Sequence, residues 1–106
     1  MAYDSDITLR AIADPRRRAI LDALREGDLS VSDLTERFDV SQPAISQHLA
    51  VLKEAGLVRD RKAGRQRIYS VDAAPLVDVA RWVATYEAFW DDRLDALAKH
   101  LRQRNT

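Results

Sequence analysis

The stretch DLSVSDLTERFDVSQPAISQHLAVLKEAGL, residues 28–57, places two helix starts and two helix stops so close together that few folds accommodate them. Ser30 followed by Asp33 has capping-box spacing, with Asp in place of the usual Glu. It predicts a short helix from about Val31 to Phe38, with Leu34 and Phe38 one turn apart and pointing inward. Asp39-Val40 then makes a brief turn, and Ser41 supplies a second N-cap. The helix after it should run to Ala55, with Ile45, Leu49 and Leu52 buried and Gly56 as its stop. Two short helices joined by a tight turn, the second with a polar outer face, form a helix-turn-helix.

The flanks extend this unit. Upstream, a short helix over about residues 7–13 carries Ile7, Leu9 and Ile12. Asp14-Pro15 opens a second, with Asp14 as cap and Pro15 at the first helical position. Ile20, Leu21 and Leu24 give that helix an inward stripe, and Gly27 is expected to end it in the left-handed conformation. Downstream the period changes: LVRDRK and RQRIYSV flank Ala63-Gly64 and read as a β-hairpin with its tip at Gly64. A helical period returns over about residues 75–102, where Leu76, Val79, Val83, Tyr86, Trp90, Leu94, Leu97 and Leu101 recur at three- and four-residue steps. The order predicts a mainly α fold with a small β-hairpin, a winged helix-turn-helix with a long C-terminal dimerisation helix. We expect a single winged-helix DNA-binding domain over residues 1–106, with the helix-turn-helix at about 31–55, the wing at about 57–71 and the last helix at about 75–102.

Composition removes several classes of function. The chain has no cysteine, which excludes disulfides, thiolate metal sites and cysteine nucleophiles. No run of about eighteen apolar residues is long enough to span a membrane, and MAYDSDITLR lacks the order of a signal peptide, so a cytoplasmic protein is expected. Asp91 and Asp92 are adjacent and diverge on a helix, which is wrong for a shared acid/base site. No nucleophile–His–acid set or phosphate-binding glycine loop accompanies them, so neither an enzyme nor a cofactor is expected. Net charge is zero with neutral histidines, yet Arg59, Arg61, Lys62, Arg65 and Arg67 face only Asp60 within residues 59–67.

An α-helix fits the major groove of DNA, where each base pair shows its own donors and acceptors. Opposite the buried ridge Ile45, Leu49 and Leu52 lie Pro43, Ser46, Gln47 and Ala50, with Gln42 exposed at the helix start. Gln42, Ser46 and Gln47 are therefore the expected base-edge readers, Ser41 and Thr35 the expected phosphate contacts, and His48 a flank of the same face. On the wing, Lys62, Arg65 and Arg67 are placed to meet phosphates or an adjacent minor groove, with Arg65 and Arg67 expected on one strand face. Arg16, Arg17 and Arg18 fall within one turn and cannot all face the same way. The alternative use of such a module is protein–protein interaction without sequence-specific DNA binding; its exposed helix would then be apolar or charged.

From about Leu9 to Val71 the chain closely resembles the ArsR/SmtB family of bacterial winged-helix repressors, most specifically in SQPAISQHL and LKEAGLV. The resemblance implies a homodimer built mainly from the first and last helices, bringing in Leu9 and Ile12, which occupies an inverted-repeat operator on double-stranded DNA and leaves when an inducer binds. In metal-sensing members the segment matching LSVSDL reads L-C-V-C-D-L. Here Ser30 and Ser32 stand at those positions, and a neutral hydroxyl replaces a thiolate poorly on a soft ion. The last helix offers Asp78, Asp91, Asp92, Asp95 and His100 without paired Asp/His spacing, so no metal site is expected.

The last helix is also more apolar than one small core needs. Trp82 and Phe89 form a second ridge beside Val79, Val83, Tyr86, Trp90, Leu94 and Leu97. An arc this wide is expected to serve both the chain's own core and a second subunit. Intrachain packing of the rings is one alternative, and an apolar pocket around Trp82, Tyr86, Phe89 and Trp90 is another. A small-molecule inducer is allowed by these residues but not identified by them.

Overall fold

The computed structural model describes residues 4–104, apart from the side chain of Arg104; residues 1–3 and 105–106, at the ends of the expected domain, lie outside the described residues. The elements are α1 (Ser5–Ala13), α2 (Pro15–Arg25), β1 (Leu29–Ser30), α3 (Val31–Phe38), α4 (Gln42–Glu54), β2 (Val58–Ala63), β3 (Gln66–Val71), α5 (Leu76–Ala84) and α6 (Glu87–Arg104). Side-chain caps set the helix starts by satisfying backbone N–H groups that have no intrahelical acceptor. Asp4 accepts from the N–H groups of Asp6 and Ile7, and Asp14 from that of Arg16. The capping box of α3 is reciprocal: the Asp33 N–H donates to Ser30 Oγ at 3.1 Å and the Ser30 N–H to Asp33 Oδ2 at 3.2 Å. Ser41 Oγ accepts from the Ala44 N–H.

Helix ends follow the same accounting. At the end of α4, Gly56 takes φ +78°, and the N–H groups of Gly56 and Leu57 donate to the carbonyls of Lys53 and Leu52. That is the Schellman arrangement glycine permits. The end of α2 corrects our expectation. Gly27 is not left-handed; Glu26 closes the helix in right-handed conformation, and the N–H groups of Glu26 and Gly27 tighten the last turn onto the carbonyls of Ala23 and Leu24. Asp39 instead supplies a left-handed residue, at φ 51° and ψ 47°, to turn the chain from α3 into α4. Asp tolerates this region better than most residues.

The core lies where α2, α3 and α4 meet the sheet. Ile20, Leu24, Leu34, Ile45, Leu49, Leu52 and Leu57 are buried in it, each contributing about 1.5–3 kcal/mol of burial. Leu21 joins them, and Phe38 packs half-buried at the margin. The sheet has a strand the sequence did not signal: β1 pairs antiparallel with β3, giving the order β1-β3-β2. In the hairpin Val58 opposes Val71 and Ala63 opposes Gln66, leaving Gly64-Arg65 as a two-residue turn. Only Gly64 of this pair has positive φ, +64°, the pattern of a type II′ turn.

A second correction concerns the C-terminal helix. The apolar period suggested one helix, but the backbone breaks between α5 and α6. Thr85 and Tyr86 donate their N–H groups three residues back, to Trp82 and Val83, and the Thr85 hydroxyl also donates to the Trp82 carbonyl at 2.7 Å. A hydroxyl competing for a helix carbonyl, next to two residues of modest helix propensity, favours the tighter turn. Nor does the principal stripe line the chain's own core as expected. Leu76 packs against it, Val79 and Val83 are half-buried where α5 meets α1, and no residue of α5 from Leu76 onward is fully buried. The described side chains of α6 are exposed throughout. With that arm extended, the radius of gyration is 17.9 Å, against about 13 Å for a compact chain of this size.

Candidate nucleic-acid interface

Helix α4 divides sharply into two faces. Ile45, Leu49 and Leu52 are at most 2 % exposed, whereas Gln42, Pro43, Ser46, Gln47 and Ala50 are open to solvent. The exposed ridge therefore consists of two amides, one hydroxyl and two small or imino residues, with no charge. Ser41 is exposed at the N-terminus with its Oγ engaged in the cap. Thr35 is half-buried on α3 and donates its hydroxyl to the Val31 carbonyl, so its backbone-directed role is already occupied in the free chain. His48 is half-buried at the edge of the α4 face, with Nδ1 3.5 Å from Arg17 Nη1.

The arginine triplet is a brace. The final four carbonyls of α1 have no intrahelical donor. Arg17 donates to those of Arg10 and Ala11, at 3.0 and 2.6 Å, and Arg18 to those of Ile12 and Ala13, at 2.7 and 3.1 Å. Arg16 turns the other way onto Asp14. The Arg16 backbone N–H, followed by the guanidinium groups of Arg16 and Arg17, holds the Asp14 carboxyl below the ordinary carboxylate range. Sequence reasoning could place the three side chains on different sides, but the acceptors belong to the preceding helix.

Four ion pairs set the wing. Asp60, only 7 % exposed, accepts from Lys53 Nζ of α4 at 2.9 Å and from Arg67 Nε of β3 at 2.6 Å. It thus pins both hairpin strands to the last turn of α4. Hydrogen bonds from Lys53 and then Arg67 keep its carboxyl below the usual value. Arg61 pairs with Asp28 and Arg59 with Asp72. Lys62 and Arg65 are left as the wing cations without an acidic partner among the described residues. Arg65 occupies the turn rather than a strand face shared with Arg67, because the register ends at Ala63–Gln66. Ser32, Gln42, Arg65 and Arg67 line one cleft between the start of α3, the start of α4 and the wing. Asp60 as a pin escaped the sequence reading, since its partners follow from strand register.

The apolar residues assigned to an interface lie on α1, α5 and α6. Leu9, Trp82, Tyr86, Phe89, Trp90, Leu94 and Leu97 are 40–60 % exposed, while Ile12, Val79 and Val83 are half-buried. Trp82 and Tyr86 meet edge to face at 5.6 Å, and the Arg93 guanidinium lies 4.8 Å from the Phe89 ring centre. These rings do not form an intrachain core. Ser30, at one metal position suggested by the resemblance, is 2 % exposed with its hydroxyl accepting from Asp33, and Ser32 adds only a second neutral hydroxyl. That donor set does not fit a soft ion. Among the described residues no three His, Asp or Glu side chains gather as cation ligands.

With this geometry in view, known proteins give a consistent answer. The description "Bacterial regulatory protein, arsR family" matches residues 14–60. The transcriptional repressor SdpR of Bacillus subtilis is 40 % identical over 77 residues, covering 73 % of this chain and 86 % of SdpR. The chain belongs to the ArsR family of bacterial regulatory proteins. The HTH-type transcriptional regulator Rv2034 of Mycobacterium tuberculosis is 42 % identical, covering 89 % of this chain and 85 % of that protein. Among solved structures, an ArsR-like transcriptional regulator from Rhodococcus sp. RHA1 superposes with a TM-score of 0.69 at 38 % identity, covering 88 % of each chain.

As an ArsR-family member the chain is a DNA-binding transcriptional regulator and not an enzyme. Its winged helix-turn-helix is that of its structural neighbours. Among the described residues no helix is long and apolar enough to cross a membrane.

Proposed function

We propose that this ArsR-family regulator is a homodimeric, sequence-specific repressor whose operator is an inverted repeat and whose DNA binding needs no metal. The observation that carries this reading is the uncharged hydrogen-bonding ridge of α4. Gln42, Ser46 and Gln47 stand exposed opposite a fully buried ridge, on a helix fixed by its cap and by the Asp60 pin. Amides and hydroxyls match base edges and gain little from an apolar or charged protein partner. Lys62 and Arg65, without an acidic partner among the described residues, supply phosphate contacts; Arg67 must share its guanidinium with Asp60. Ser41, Thr35, Pro43 and His48 border the same surface.

Support for dimerisation comes from the uncovered apolar side chains of α1, α5 and α6. These aromatic and aliphatic side chains lie on elements that the chain's own core leaves exposed, and a second copy would bury them. Two recognition helices would then meet half-sites about one helical turn apart. Metal independence rests on the absence of cysteine and on the capping role of Ser30.

The test separates reading from positioning. Gln47→Ala is expected to relax sequence preference while leaving the salt dependence unchanged. Arg65→Ala is expected to weaken binding to all sequences and to reduce the slope of affinity against salt by about one. Equal effects of the two changes on specificity would overturn this division, and absence of sequence-specific DNA binding by the unaltered protein would favour a protein-interaction module.

A further inference from the structure

Between α2 and α4 lies a cavity whose lining the DNA reading uses only at His48. It measures about 130 Å³ and is lined by Arg16, Ala19 and Ile20 of α2, by Phe38 and Val40, and by Ala44, Ile45 and His48 of α4. Ala19 of α2 and Ala44 of α4 both line it, and larger side chains at either position would narrow the space. Ile20 and Ile45 form a dry floor, each at most 2 % exposed. Phe38 and Val40 add further apolar wall. The polar groups are confined to Arg16 and His48, and no carboxylate lines the space. Arg16 reaches Asp14 through Nε, at 3.4 Å, and its side chain is otherwise 73 % exposed.

We propose that this cavity is a ligand site for a small aromatic carboxylate. An apolar cavity of about 150 Å³ is known to accept one benzene ring, so the volume here suits a single ring and little more. The apolar floor and the Phe38 wall take the ring. The Arg16 guanidinium takes the carboxylate, which matches its fork geometry, and His48, whose Nδ1 accepts from the Arg17 guanidinium at 3.5 Å, adds a second donor through Nε2. With Arg16 and His48 as donors and no carboxylate in the lining, the Asp14 oxygen being held at Arg16 Nε and leaving the two Nη groups for the ligand, the site discriminates against neutral and cationic rings of the same size.

The site bears on regulation because Ala44, Ile45 and His48 alternate on α4 with Ser46 and Gln47. A bound carboxylate places a negative charge beside the helix that approaches phosphates and neutralises Arg16. DNA affinity should therefore fall, and by linkage DNA should lower ligand affinity by the same factor. This regulatory consequence rests on the DNA-binding reading; occupancy of the cavity does not.

Benzoate is the probe, with benzamide as its neutral counterpart, titrated into the full chain by calorimetry and by two-dimensional NMR without DNA. Benzoate at millimolar concentration is expected to shift resonances of Ala19, Phe38 and Ala44 and to bind at least about tenfold more tightly than benzamide. Arg16→Gln should abolish that preference, and Ala19→Leu should abolish binding by filling the space. If Ala19→Leu does not fold, Ala44→Leu provides the same test from the opposite wall. Absence of binding, equal binding of benzoate and benzamide, binding retained in the filled variant, or shifts confined to the exposed rings of α5 and α6 would each overturn the proposal. Operator binding measured separately, with and without benzoate, distinguishes failure of this site from failure of the repressor reading.

Discussion

Replacing Asp60 with Asn tests how the wing is held against the recognition helix. The substitution preserves shape and removes the charge that Lys53 and Arg67 share. Hydrogen bonds to a charged group contribute about 1.5–3 kcal/mol when protected. Lys53 and Arg67 are 55 % and 53 % exposed, however, so solvent screening brings the expected loss for the pair to about 1–2 kcal/mol. For a domain of this size that corresponds to a fall in Tm of roughly 4–8 °C per kcal/mol, read by thermal melts at fixed protomer concentration.

The pH dependence of that loss has a definite sign. The folded pKa of Asp60 is depressed, so its contribution is complete above the unfolded carboxylate value of about 3.9. It is lost as pH falls through the folded value. Wild type and Asp60→Asn should therefore differ fully at pH 7 and converge in acid, where Asp60 is protonated and as neutral as Asn. Loosening the wing should also lower the ratio of specific to non-specific DNA affinity, because phosphate contacts survive while their register does not. Identical melting at pH 7, or a gap that persists undiminished in acid, would refute the pin.

Three further outcomes follow from named contacts. Ser30→Ala should cost about 1 kcal/mol in denaturant unfolding through the lost cap of α3, and a double change with Asp33→Ala should be less than additive because the two caps are reciprocal. Gly64→Val should cost about 1–2 kcal/mol, since φ is +64° and no atom lies within 4 Å of the added Cβ; the penalty is conformational and should appear in stability without a change in hairpin register by NMR. Leu97→Lys, at a residue 53 % exposed, should leave the monomer's fold intact by circular dichroism and shift sedimentation equilibrium from dimer toward monomer; an unchanged dimer would place the interface elsewhere.

What the sequence revealed was what depends on nearby residues. The caps at Ser30, Asp33 and Ser41, the stop at Gly56 and the tip at Gly64 each need only a few residues of context, and α3 and α4 begin where those residues place them. The exposed and buried ridges of α4 followed from helical period alone. β1 escaped because its two residues sit inside the capping segment, where Ser30 reads first as a cap. The break at Thr85-Tyr86 escaped because the apolar period runs straight through it, whereas the backbone there tightens onto the carbonyls of Trp82 and Val83. The brace made by Arg17 and Arg18, the partner of Arg67 and the cavity behind Ala44 all depend on which distant elements meet. Spacing along one helix carries no such information.

On the reading proposed above, the neutral ridge of α4 reads DNA sequence without a metal. The most direct measurement is selection of duplexes from a random pool by purified, metal-free protein, followed by affinity against salt for the enriched sequence. An inverted repeat with half-sites about one helical turn apart is expected, bound with steep salt dependence and unchanged by chelator. Enrichment only when metal is added, or no enrichment with or without it, would contradict a metal-independent reading of sequence by α4.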